Sequence, residues 1–87
     1  MKNLYYILED KYGQKYSVTR CICWGTIECI KISNEYFEII FPENIKNKND
    51  IMIRGNNTLY YYNEIERLIN GVIRLVKKIN GVKNNDK

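Results

Sequence analysis

The sequence predicts an α+β domain: an antiparallel β-meander of four to six strands with one C-terminal amphipathic helix packed on one sheet face. Three observations carry that expectation. The first half of the chain is made of short runs rich in β-branched and aromatic residues, punctuated by polar or glycine-bearing turns. The last third places Ile65, Leu68, Ile69, Val72, Leu75, Val76 and Ile79 at helical spacing. At 87 residues, 45% of them apolar, the chain can build one core and not two.

Residues 3–9 read as a first strand, closed by the polar turn Asp10-Lys11-Tyr12-Gly13. Residues 15–24 form a second, and Gly25-Thr26 fits a two-residue hairpin loop with glycine at the first central position. A third strand spans 27–32, Ser33-Asn34 turns the chain, and a fourth spans 36–41. Pro42 ends it, having no N–H to give to a ladder. The polar run 43–49 reads as a loop. Residues 51–54 and 58–62 flank Gly55-Asn56-Asn57 as a further hairpin. Asn63 with Glu66 three residues later has the form of a capping box, and Asn80-Gly81 supplies the helix stop. A single domain over residues 1–81 follows, with 82–87 as a frayed tail. Gly71 lies inside the helix at a cost of about 1 kcal/mol relative to Ala, as a point of close packing or of breakage.

Strand parity then sorts the side chains. A two-residue loop opposes residues of opposite parity, which places Cys21 and Cys23 on one face and Cys29 on the other. Zinc needs about four ligands, normally Cys or His, and the chain has three cysteines and no histidine. The thiols therefore read as small buried hydrophobes, with no metal and no cofactor expected. The helix-facing side collects Leu4, Tyr6, Leu8, Cys21, Cys23, Ile30, Ile32, Phe37, Ile39 and Phe41. The reverse side gathers Tyr5, Tyr16, Arg20, Trp24, Lys31 and Tyr36, residue types favoured at binding hot spots. Either the 51–62 hairpin or sheet curvature covers that surface, or it binds a partner.

Catalysis finds no footing. Without histidine there is no side chain whose ordinary pKa suits general-base work near neutral pH. A mid-strand cysteine lacks the cationic setting a thiolate nucleophile needs. The glycines at 13, 25, 55, 71 and 81 are too scattered for a phosphate loop. No apolar run approaches the ~18 residues of a membrane span. An odd number of cysteines and a start without a secretory pattern suit a cytoplasmic protein.

Charge is uneven along the chain. Residues 1–66 carry eight Lys/Arg against nine Asp/Glu, whereas residues 67–87 carry six against one. Arg67, Arg74, Lys77 and Lys78 fall opposite the apolar stripe of the helix. That outer face is either simply solvated or a phosphate-contacting ridge.

Two expectations follow. The first is a non-enzymatic interaction module anchored by Tyr5, Tyr16, Arg20, Trp24, Lys31 and Tyr36, able to dimerise through the same face. Small size and a composition rich in Ile, Asn, Lys and Tyr without Ala or His suit an AT-rich genome. They suggest a phage- or mobile-element-type inhibitor that sterically blocks a larger host protein or nucleoprotein, such as a defence nuclease, in the manner of an anti-CRISPR. The second is single-stranded nucleic-acid binding, with Arg67, Arg74, Lys77 and Lys78 on phosphates and tyrosines stacked on bases.

Overall fold

The computed structural model describes residues 3–84 of the chain, with side chains described as far as residue 81. The architecture is α+β. Its elements are α1 (Leu4–Tyr12), β1 (Ser17–Cys23), β2 (Ile27–Ser33), β3 (Glu38–Pro42), a single 3-10 turn (Lys48–Asp50), β4 (Met52–Arg54) and α2 (Tyr62–Asn84). The four strands form one antiparallel sheet in the order β1-β2-β3-β4, a meander as expected.

The first departure is at the N-terminus, where residues 3–9 are helical rather than extended. The Asn3 side chain caps α1 by accepting from the Tyr5 N–H at 2.8 Å. Leu4, Leu8 and Tyr12 then fall on one face at i, i+4, i+8 and join the core. The same short stretch also satisfies a period of two, so its pattern fits both periods. Packing on β1 selects the helix: Tyr5 OH donates to the Val18 carbonyl at 3.3 Å.

The second departure is a one-residue change of register. The β1–β2 loop has three residues, Trp24-Gly25-Thr26, so Cys23 pairs with Ile27, Cys21 with Cys29 and Arg20 with Ile30. Trp24 and Gly25 both hold positive φ, 50° and 86°, the sign pair of a type I′ turn, and Thr26 is the additional residue. A slip of one position moves a whole strand to the other face. Cys21 and Cys23 therefore leave the helix-facing side, and Val18, Arg20 and Ile22 take their place. Cys29, expected on the opposite face from the other two cysteines, lies directly across from Cys21.

The β2–β3 pairing keeps the expected core. Ile30 faces Phe41 and Ile32 faces Ile39, all four with no exposed surface. Asn34 makes the turn between these strands, its side chain accepting from the N–H groups of Tyr36 and Phe37 at 2.9 and 3.1 Å. Tyr36 is thus a turn residue, two positions before the strand expected to hold it.

The expected second hairpin is reduced to its first half. Only β4 pairs, with Glu38 opposite Arg54 and Ile40 opposite Met52. The chain over 56–61 coils in successive turns into α2. That helix starts at Tyr62, one residue before the anticipated cap at Asn63, with Ile65 N–H donating to the Tyr61 carbonyl at 2.9 Å. It also continues through Asn80-Gly81 to Asn84; residues 85–87 of the anticipated tail lie outside the described residues. The apolar stripe of α2 (Ile65, Leu68, Ile69, Val72, Ile73, Val76) closes over the sheet face of Val18, Ile30, Ile32, Ile39 and Phe41.

Gly71 has a clear packing reason. A Cβ at this position would overlap the Tyr12 hydroxyl, whereas the next nearest atom, the ring Cζ, would stand 3.6 Å away. The glycine thus lets α1 close on α2. In a Tyr12→Phe background, Gly71→Ala is expected to stabilise the domain by about 1 kcal/mol through helix propensity. In the wild-type background the overlap should cancel or reverse that gain. Urea midpoints of the four proteins in the double-mutant cycle test this, and additivity would refute it.

Candidate functional site

The residues expected to form one aromatic face do not meet. Tyr16 is buried in the core and donates its hydroxyl hydrogen bond to Glu64 on α2 at 2.5 Å. Arg20 lies against the rings of Tyr5 and Tyr6, 4.4 and 5.3 Å from their centroids, and pairs with Glu43 at 3.3 Å. Lys31 pairs with Glu38 at 3.8 Å, and Glu38 with Arg54 at 3.5 Å, a charge ladder across three strands of the open sheet face. Tyr36 stacks on Tyr61 at 4.7 Å between centroids, at the far end of the molecule from the β1–β2 loop. A hydrogen bond to Glu35 pushes its phenol up to about 12. The register change carries Arg20 to the helix-facing side, Tyr16 and Tyr36 lie outside the strands, and Tyr5 belongs to the helical N-terminus; Lys31 keeps the open face.

Trp24 is the most exposed of the aromatic residues in that set. It stands at the tip of the β1–β2 hairpin with 60% of its surface exposed. Ile22 (61% exposed) and Ile27 (43%) flank it on the two sides of the ribbon. The hairpin overhangs the sheet at its tip: β3 pairs with β2 from Cys29 onward, the Glu43 N–H still donates to the Glu28 carbonyl at 3.0 Å, and the Cys23–Ile27 pair beyond has no third strand beside it. Left-handed backbone costs an L-residue roughly 1–2 kcal/mol, and a bulky aromatic is an unusual occupant of such a position. Strain of that kind persists where the surrounding structure imposes it, and it concentrates at working surfaces.

The open sheet face carries the three cysteines together. Cys21 and Cys23 place their sulfurs 4.0 Å apart and all three thiols are free. Burial, then the neighbouring Cys23 thiol, raises the pKa of Cys21 and pushes that of Cys29 up to about 12. These groups stay protonated at neutral pH and are poor nucleophiles. Among the described residues, no group of three or more His, Cys, Asp or Glu is placed to hold a metal ion.

The basic residues of α2 are arranged as their spacing predicted. Arg67, Asn70, Arg74, Lys77 and Lys78 are all exposed on its outer side. Tertiary structure adds neighbours that the linear pattern did not link to them. A groove of about 540 Å³ runs between α2 and the 3-10 turn, lined by Asn47, Lys48, Asn49, Asn70, Ile73, Arg74 and Lys77. A second, of about 440 Å³, lies on the α1 side of α2 and includes Lys11, Lys15, Arg67 and Arg74 in its wall. Among the described residues, Lys11, Lys48, Arg67, Arg74, Lys77 and Lys78 have no carboxylate within ion-pair distance, while Lys15 approaches Glu64 at 3.9 Å.

No helix among the described residues is long and apolar enough to cross a membrane. Compared with protein families, curated proteins and solved structures, the chain matches none.

Proposed function

We propose that the chain is a non-enzymatic module that binds a larger protein by inserting the tip of the β1–β2 hairpin into an apolar cleft of its partner. The observation that supports this reading is Trp24, exposed and held in left-handed backbone at the end of an overhanging ribbon. Ile22 and Ile27 present apolar surface on both sides of that ribbon, a wedge rather than a flat patch. Tryptophan is enriched among residues that dominate binding energy, and an isolated apolar wedge gains most from a pocket that removes it from water on all sides. The mechanism is steric: occupancy of the cleft blocks the partner's own substrate or ligand. Inhibition of a host enzyme by a protein of a phage or mobile element is the biological setting that suits small size and an AT-rich composition.

Trp24→Asn separates this role from a structural one. Asparagine tolerates positive φ, so the variant should fold and gain about 1 kcal/mol of stability from relieved backbone strain. Its affinity for the partner should fall tenfold or more. Quantitative affinity capture from the source cell with wild-type and Trp24→Asn protein, followed by titration of whatever protein is lost, measures both effects. A set of captured proteins unchanged by the substitution would overturn the reading.

A further inference from the structure

We propose that the outer face of α2, with the two grooves beside it, binds the phosphate backbone of single-stranded nucleic acid, independently of the hairpin tip. Charge complementarity carries the proposal. The ridge Arg67, Arg74, Lys77 and Lys78 is joined by Lys48 across one groove and by Lys11 and Lys15 across the other, with Arg74 in both walls. The acidic groups close by are largely engaged. Glu64 accepts from Tyr16 and faces Lys15, and Asp50 accepts from the backbone N–H groups of Lys46 and Asn47 at 3.1 and 3.4 Å. Glu66 and Asp10 are exposed nearby and remain as local opposition.

The groove chemistry favours phosphodiester over an acidic protein surface. Asn47, Asn49 and Asn70 line the larger groove beside Lys48, Arg74 and Lys77, supplying amide donors of the kind that contact phosphate and sugar oxygens. Phosphate and carboxylate oxygens both only accept, but a nucleic acid also brings base N–H donors for the carbonyls of Asn49 and Asn70, which a carboxylate-rich surface does not.

Two features select a single strand. The clefts admit a flexible chain along their length, whereas a duplex would rest on the ridge alone. Tyr62, at the start of α2, and Tyr60 beside it are exposed, the latter by 83%. Both rings lie toward the same end of the helix as Arg67, about five residues or ~8 Å along its axis from Tyr62. Unpaired bases can stack on such rings; paired ones cannot.

Fluorescence anisotropy of the full chain with labelled oligothymidylate and with a labelled duplex of matched length tests the proposal. Engagement of about five phosphates gives a slope near −3.5 in log affinity against log salt, about a hundredfold loss between about 50 and about 200 mM salt. Arg74→Glu with Lys77→Glu should weaken single-strand binding more than tenfold, while Trp24→Asn leaves it unchanged; thermal melting checks that each variant is folded. Absence of binding at micromolar protein and low salt would overturn the proposal. So would equal affinity for the duplex, or indifference to the double charge reversal in a folded protein. Loss of partner capture by Trp24→Asn with no oligonucleotide binding by any form would remove this surface and leave the hairpin reading standing.

Discussion

Gly55→Ala is expected to destabilise the domain by about 3 kcal/mol or more, lowering its melting temperature by more than about 10 °C. Gly55 ends β4 with φ at 136°, a region that L side chains rarely adopt. A Cβ there would also stand 2.7 Å from the Tyr36 carbonyl oxygen and 2.8 Å from the Phe37 Cα, both backbone atoms. Strained backbone costs roughly 1–3 kcal/mol and overpacking a further ~1–3. Neither can be relieved by a rotamer change, because the obstacle is the chain leading into β3. The edge strand would have to open, loosening the Glu38–Arg54 pair. A domain of this size has only about 4–13 kcal/mol in total, so the loss would show directly in the urea midpoint. Gly25→Ala is the control: its φ of 86° is also positive, but no atom lies within 4 Å of the added carbon. It should cost only about 1 kcal/mol. Equal losses at the two positions would mean that close packing of Gly55 against the β2–β3 turn contributes nothing.

Tyr16→Phe is expected to cost about 2 kcal/mol, the usual worth of a hydrogen bond to a charged group. The phenol is buried and donates to Glu64, tying the start of β1 to α2. Removing it leaves the carboxylate with Lys15 at 3.9 Å as its remaining charged neighbour. The pair also sets a pH dependence. Burial, then the hydrogen bond to Glu64 and its charge, raises the Tyr16 pKa far above the ordinary 10. The folded state therefore keeps a proton that the unfolded state releases near pH 10. Stability from this group is complete below about pH 10 and declines as pH rises beyond it. Tyr12, Tyr5 and Tyr36 are raised as well, so the wild-type decline is the sum of several groups. Tyr16→Phe should be the less stable protein at about pH 8 and lose stability less steeply above about pH 10. Parallel curves for the two proteins would show that the Tyr16 proton is not held by the fold.

How far the fold can be read from the residues differs by element. α2 was legible because its apolar stripe runs for more than four turns, long enough for one period to dominate. β2 and β3 were legible because Ile30, Ile32, Ile39 and Phe41 alternate cleanly and all reach the core. The signal for α1 was present in Asn3 as a cap, the Leu4-Leu8-Tyr12 spacing and Gly13 after it. Nine residues, however, cannot separate a helical from an alternating pattern when Tyr and Ile fill both sets of positions. The basic ridge on α2 could be located by counting from its apolar positions. Its partners Lys11, Lys15 and Lys48 could not, since they arrive from elements far away in sequence.

Periodicity within the chain thus determined the class of fold, the central strands, the long helix and the charge on its outer side. These depend on residues a few positions apart, whose relative directions are set by backbone geometry. Tertiary structure decided the register of β1, and with it which surface the cysteines, Arg20 and Ile22 occupy. The three-residue loop costs roughly 1–2 kcal/mol more locally, because it holds Trp24 in left-handed backbone. The choice falls to the core, where Val18 must pack with Ile30 and Ile32 beneath α2, and Trp24 is carried into left-handed backbone at the exposed tip.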